Sequence, residues 1–381
     1  MILIKNGIVH DAICPEAKHV DILIKDGKIE KIGEGLEVSD DVEIIDAADL
    51  HVYPGFVEAH AHIGLDGYGI GYERQDYNEM GDILSSQLRG IDGINPFDPT
   101  LKAAAKAGVT CAATGPGSAN VLGGTFVAIK TTGTRVDDMV VKNPVAMKCA
   151  FGENPKRCYR DKGNSSRMST AAHLRSALYK AKEYLAKKEA AGDDIFKKPS
   201  FDLKMEALIP VLKKEIPLKA HAHTADDLFT AIRIAKEFDV KLTLEHCTEG
   251  HLVAKELVKE GYPMAVGPSL GHASKFELKD KSWTTPGILS ALGGQVSIIT
   301  DSPVIPQQYL PLCAGMAIKA GMDEFEALKA ITINPAKHIG IEDRVGSIEA
   351  GKDADIVIVD GSPFDVSHEV KYVLIDGKII E

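Results

Sequence analysis

Between residues 54 and 344, eight short apolar runs alternate with longer segments at helical spacing, and this pattern limits the folds open to the chain more than any other feature. The runs are Gly55–His60, Val109–Thr114, Phe126–Lys130, Val145–Phe151, Leu218–His223, Lys241–His246, Pro263–Val266 and Val296–Thr300. Helical patterns cover Leu101–Ala107, Thr170–Ala190, Asp226–Phe238, Leu252–Lys259 and Asp323–Ile331. Alternation of this kind predicts parallel βα units. Eight such units predict an α/β fold with a (β/α)8 TIM-type barrel, for which roughly 250 residues is ordinary. Helices between the second, third and fourth runs are weakly marked. The Lys- and Glu-rich face of 170–190 reads as a solvated helix surface.

The two ends of the chain resemble each other. Ile2-Leu3-Ile4-Lys5-Asn6-Gly7 is echoed by Ile22-Leu23-Ile24-Lys25-Asp26-Gly27 and by Val373-Leu374-Ile375-Asp376-Gly377. Each is a β-rich run closed by Asn-Gly or Asp-Gly, a strong short-range hairpin signal. With Ala354–Val359, these runs predict a small composite β-sandwich built from residues 1–53 and 345–381, the barrel of 54–344 lying between its halves.

A net charge of −11 argues against nucleic acid as a partner. The six cysteines form no C-x-x-C pair, which points to a reduced, cytoplasmic protein without a zinc knuckle. Met1–Gly7 reads as strand and turn rather than a signal-peptide core, and no apolar run approaches the ~20 residues of a membrane span. Thr114-Gly115-Pro116-Gly117-Ser118 lacks the spacing of a phosphate-binding loop and reads as a tight turn.

Two histidine pairs carry the chemistry. His60-Ala61-His62 and His221-Ala222-His223 each end an apolar run, and residues two apart on a strand face the same way. At the C-terminal end of an inward-facing strand, such a pair can grip one metal ion. His246 and Asp301 close two further strands, on the face where barrels of this type carry their active sites. Imidazole and carboxylate are ordinary zinc ligands, and a catalytic site keeps one position open. The helical H-E-x-x-H arrangement is absent.

At these positions the chain resembles the amidohydrolase superfamily. Tyr53-Pro54-Gly55-Phe56-Val57-Glu58-Ala59-His60-Ala61-His62 is similar to its first-strand motif, and Thr300-Asp301-Ser302-Pro303 to its eighth-strand motif. Asn334-Pro335-Ala336 and Gly346–Asp355 are similar to its return into the β unit. Within the superfamily, the imidazolonepropionase-related and prolidase-like members are the nearest in pattern. The resemblance implies one or two divalent metals, zinc foremost, held by His60, His62, His221, His246 and Asp301. It implies that Asp301 accepts a proton from the attacking water, and that His223 binds substrate or serves as an alternative ligand. Binuclear members carry a carboxylated lysine on the fourth strand. Lys148 is placed for that role, with Lys130 and Glu153 as competitors.

The implied reaction is hydrolysis of a C–N bond in a cyclic or peptide-like amide, with His246 or His223 stabilising the oxyanion. Deamination of a heterocycle is the alternative, and a non-catalytic barrel a weaker one. The loop 64–99 carries Glu73, Asp76, Glu79 and Asp82 against Arg74 and Arg89, an acidic rim that would suit a basic or zwitterionic substrate. Lys156, Arg157 and Arg160 would instead recognise a substrate carboxylate. Both point to a small molecule such as an amino-acid derivative, handled by a chain free to form a homo-oligomer.

Overall fold

The computed structural model describes residues 1–381. Strands β1 (Ile2–Val9), β2 (Lys18–Lys25), β3 (Lys28–Gly33), β4 (Glu43–Asp46) and β5 (His51–Pro54) open the chain. The central strands are β6 (Phe56–Ala61), β7 (Val109–Thr114), β8 (Leu122–Lys130), β9 (Val140–Ala150), β10 (Leu218–Ala222), β11 (Leu242–His246), β12 (Met264–Val266) and β13 (Val296–Ile298). The chain closes on β14 (Ile356–Val359), β15 (Val370–Ile375) and β16 (Lys378–Ile379).

The central strands form one sheet in sequence order, β6 to β13, rolled so that its first and last members meet. Two contacts bridge the seam. The His62 backbone N–H donates to Ser302 O at 2.7 Å, and Glu58 Oε2 accepts from the Thr300 backbone N–H and Oγ1 at 2.9 and 2.7 Å. The eight runs read from sequence are these eight strands, but not all of them are parallel. β8 runs antiparallel to both β7 and β9. The reason is chain length: the turn 115–121 is too short for the crossover that parallel pairing needs. The helices that were weakly marked there are correspondingly absent, apart from the single turn Val136–Met139.

The helices pack outside, on alternate residues of the strands. Leu218, Ala220, Ala222, Leu242 and Leu244 point outward into an apolar cluster with Leu174, Leu178, Leu228 and Ile232. The first helix begins at Pro99, two residues before its apolar pattern, because Asp98 caps it by accepting from the Thr100 N–H at 3.0 Å. Arg167–Ala191 buries Leu174, Ala177, Leu178 and Ala181 and leaves most of its Lys and Glu residues in solvent. No helix is long and apolar enough to cross a membrane.

The end strands form a second, mixed sheet in the order β16-β15-β14-β5-β1-β2-β3, with β4 beside β1. Both chain ends therefore join in one hydrogen-bonded sheet, around a core that includes Ile4, Ile22, Ile45, Ile356 and Leu374. Lys130 ties this sheet to the central one. Its Nζ lies 2.7, 2.9 and 3.0 Å from carboxylates of Asp355, Asp376 and Asp353. Because β8 is antiparallel, its C-terminal residue sits at the end of the barrel away from the histidines. Lys130 is thereby removed as a metal-bridging competitor.

Candidate metal centre

Inward parity decides what reaches the barrel axis. On β6 this is Glu58 and His60, followed by His62; on β10 it is Lys219 and His221, followed by His223. All six are buried. On β11, Thr243 and Glu245 point inward, so His246 should face the helices. It does not: its φ is +76°, and Cys247 follows at +45°. The left-handed turn brings the imidazole back over the axis, where its ring lies 4.4 Å from that of His221 and 5.0 Å from that of His60. Asp301, just beyond the end of β13, also has a positive φ, +52°. Strained backbone of this kind has to be held in place by its surroundings and is concentrated at functional sites.

The result is two adjoining triplets. His60, His62 and Asp301 form one, and His221, His223 and His246 the other, with ligand atoms in each lying within 4.8 Å of one another. Asp301 Oδ1 is 3.4 Å from His62 Nε2 and 3.6 Å from His60 Nε2. Four of the imidazoles are held from behind through Nδ1: His60 by Glu245 at 3.0 Å, His62 by Gly115 O at 2.7 Å, His223 by Thr248 Oγ1 at 2.7 Å and His246 by Gly267 O at 2.8 Å. This leaves Nε2 as the atom each presents to the centre. Gly115 has to lack a side chain, since a Cβ there would meet the Phe126 ring at 2.6 Å. The turn at 115–118 is thus a wall of this site.

Burial holds His60, His221 and His223 well below the ordinary imidazole range and His246 down to about 4, so these rings are neutral, the ligating form. Burial alone would raise the Asp301 carboxyl; His246, His62 and His60 more than offset it, and the group is ionised. Both nitrogens of His221, Nε2 of His246 and Oδ1 of Asp301 are buried without hydrogen-bond partners. Orphaned polar atoms are costly, and a His221 nitrogen, His246 Nε2 and Asp301 Oδ1, set within the two adjoining triplets, are the kinds of atom that fit a divalent cation.

Lys148, on β9, has its Nζ 2.9 Å from His60 Nε2 and is fully buried. Burial lowers its amine to about 8, against the pull of Asp301 and Glu245. Its neighbour in the sheet is Lys219, equally buried but paired with Glu245 at 2.9 Å. Of the two interior lysines, Lys148 is therefore the one without a carboxylate partner of its own. Glu153 places its carboxylate in neither triplet; its backbone N–H donates to Glu277 Oε2 at 2.9 Å.

Several residues of the site were not singled out from sequence. Glu245 accepts from His60 and lies 2.9 Å from both Lys219 Nζ and His338 Nε2. Parity would have found Lys219 and Glu58, which share the inward face of the histidine pairs. Glu277 comes from the loop after β12, with Oε1 3.7 and 3.9 Å from His223 and His221, and no periodicity marks it. Replacing Glu245 with Gln is expected to weaken metal binding about 10- to 100-fold, the usual cost of losing the group that orients a ligand histidine. Titration with a chelator-buffered metal series measures this; unchanged affinity would show that Glu245 does not orient His60.

Above the triplets lies a cavity of about 390 Å³ whose wall includes Tyr77, Asn78, Ser118, Asn154, Arg157 and Lys275. Tyr77 stacks on His62, with ring centroids 5.3 Å apart. The expected acidic rim is not there. Of the loop 64–99, only Tyr77 and Asn78 line the cavity. Glu73 pairs with Arg74, and Asp82 with Lys204. Short-range ion pairs satisfy these charges at the surface. Of the three basic residues after β9, only Arg157 reaches the cavity.

Comparison with known proteins gives the family. The profile of the amidohydrolase family matches residues 51–380. The chain belongs to the amidohydrolase family. An amidohydrolase from Thermotoga maritima has the same structure over 100% of both chains, with a TM-score of 0.96 and 43% identity. Amidohydrolase tasK of Hapsidospora irregularis is 29% identical across 94% of this amidohydrolase, which spans 39% of tasK's length. A prolidase solved with N-methylphosphonate-L-proline shares the fold at a TM-score of 0.59 and 15% identity, covering 100% of this chain and 99% of the other.

Proposed function

We propose that this amidohydrolase cleaves a C–N bond of a small amide with water, using a divalent metal centre held by His60, His62, His221, His246 and Asp301, with Lys148 as a carboxylated bridge. The observation that carries this reading is the pair of adjoining triplets at the strand ends, which hold buried nitrogen and carboxylate atoms without hydrogen-bond partners. When bound, such an ion lowers the pKa of water and polarises a carbonyl. The residues do the rest. Asp301, ionised, takes a proton from the attacking water and returns it to the leaving nitrogen. His223, in the tautomer whose Nδ1 accepts from the Thr248 hydroxyl, carries its proton on Nε2 and donates it as a hydrogen bond to the carbonyl oxygen as charge develops. Tyr77, stacked on His62, closes one side of the site against water. On this reading residues 54–344 carry the chemistry, and 1–53 with 345–381 form the companion unit.

Zinc is the first ion to try, since its affinity for imidazole and carboxylate sites is high. Elemental analysis after expression with bicarbonate is expected to find about two ions per wild-type chain. Lys148→Ala is expected to lose at least one, with hydrolysis falling in step. One ion in both proteins would sink the bridging role. No ion in either, after loading, would sink the metal reading. Assaying amine and ammonia release separately distinguishes amide cleavage from deamination.

A further inference from the structure

We propose that Arg157 restricts this site to amides that carry a free carboxylate, an inference that rests on the hydrolase reading above. The cavity over His62, His221, His223 and Asp301 has two cationic side chains in its wall, Arg157 and Lys275. Lys275 is already neutralised: its Nζ lies 2.6 Å from Glu277 Oε1 and donates to Asn154 Oδ1 at 3.1 Å. Arg157 is different. Arg74, Arg135, Arg167, Arg175 and Arg344 are each paired with a carboxylate, and of the unpaired arginines, Arg89, Arg157, Arg160 and Arg233, only Arg157 lines this cavity. The Arg157 side chain is exposed and its guanidinium has no acidic partner, while it borders the cavity over the triplets.

The short helix that carries it, Glu153–Cys158, follows directly on β9, the strand of Lys148. It is pinned on two sides. Asn154 Nδ2 donates to Ser118 Oγ at 2.7 Å, and the Glu153 N–H donates to Glu277 at 2.9 Å. Arg157 is therefore delivered to the cavity by a segment fixed to the loops after β7 and β12. Lys156 and Arg160, its neighbours in sequence, do not line the cavity. One free guanidinium offers one planar fork, which matches the two oxygens and single charge of a carboxylate. A phosphate dianion would leave a charge and an oxygen without a partner. A cavity of about 390 Å³ suits a molecule of amino-acid or dipeptide size.

The test uses binding, so that it does not depend on turnover. Succinamate and its uncharged isostere succinamide are titrated by calorimetry into the zinc-loaded full chain, as wild type, Arg157→Ala and Arg157→Lys. Succinamate is expected to bind wild type about 10- to 100-fold more tightly than succinamide, the ratio that charge-assisted hydrogen bonds typically give. Arg157→Ala is expected to abolish that ratio and Arg157→Lys to restore part of it. Equal affinity of the two probes for wild type, a ratio unchanged in Arg157→Ala, or no succinamate binding overturns the proposal. In a separate assay, N-acyl amino acids and dipeptides are offered beside their C-terminal carboxamides. Hydrolysis of acid and carboxamide alike would leave the hydrolase reading standing and remove the role of Arg157. Loss of the hydrolase reading would instead show as no hydrolysis of either form while succinamate still binds through Arg157.

Discussion

Asp301→Asn is expected to lower kcat/KM for amide hydrolysis by about 10²- to 10⁴-fold, the usual contribution of a positioned proton acceptor, while leaving the fold intact. The substitution keeps shape and removes only charge and basicity. Asn tolerates the left-handed backbone that residue 301 adopts at φ +52°, so the turn that aims the side chain survives. What is lost is the ionised oxygen 3.4 Å from His62 Nε2 and 3.6 Å from His60 Nε2. On the proposed reading, the acceptor for the proton of water and one anionic ligand of the centre go with it. Steady-state kinetics, metal content and the thermal midpoint should be measured on one preparation. A fall in kcat with an unchanged midpoint assigns the loss to chemistry. Activity near that of wild type would remove Asp301 from the mechanism.

Lys130→Met is expected to destabilise the protein by roughly 3–5 kcal/mol, the cost of breaking a buried ion pair from one side. Lys130 is buried and balances Asp353, Asp355 and Asp376, the first two of them also buried. Methionine fills the volume but leaves Asp355 and Asp376 without a cation, while Asp353 keeps Arg344 and Lys28. Urea unfolding gives the change in midpoint directly. Adding Asp355→Leu should recover part of the loss, because it removes one of the uncompensated charges. Burial alone would lower the Lys130 pKa; Asp355, Asp376 and Asp353 outweigh it, and the folded value is raised. The contribution is therefore fully present below the ordinary lysine pKa of ~10.4 and is lost as pH rises through the folded value. A small effect in urea would show that the tie between the two sheets lies elsewhere.

The eight central strands were legible because apolar runs and turn residues are local signals, as was the joining of the two chain ends through their shared strand-and-turn pattern. Sequence parity also brought out His60, His62, His221 and His223. It went too far at β8, where a uniform βα rhythm was assumed across a turn too short to hold a helix. That difference has a consequence, since an antiparallel β8 carries Lys130 to the wrong end for chemistry. The acidic residues of the loop 64–99 misled for another reason: charge in a sequence says nothing about which neighbour will neutralise it.

Taken alone, then, the sequence determined the strand-by-strand rhythm, the inward parity of the histidine pairs and the family. Each of these depends on spacing within a few residues or on a contiguous motif. Only the tertiary structure decided that His246 turns inward against the alternation of its strand, through a positive φ. It alone paired Lys219 with Glu245, leaving Lys148 as the interior amine without a carboxylate. It also set Arg157, rather than Lys156 or Arg160, in the cavity wall. These outcomes depend on distances between segments remote in the chain, and such distances exist only once the sheet has closed.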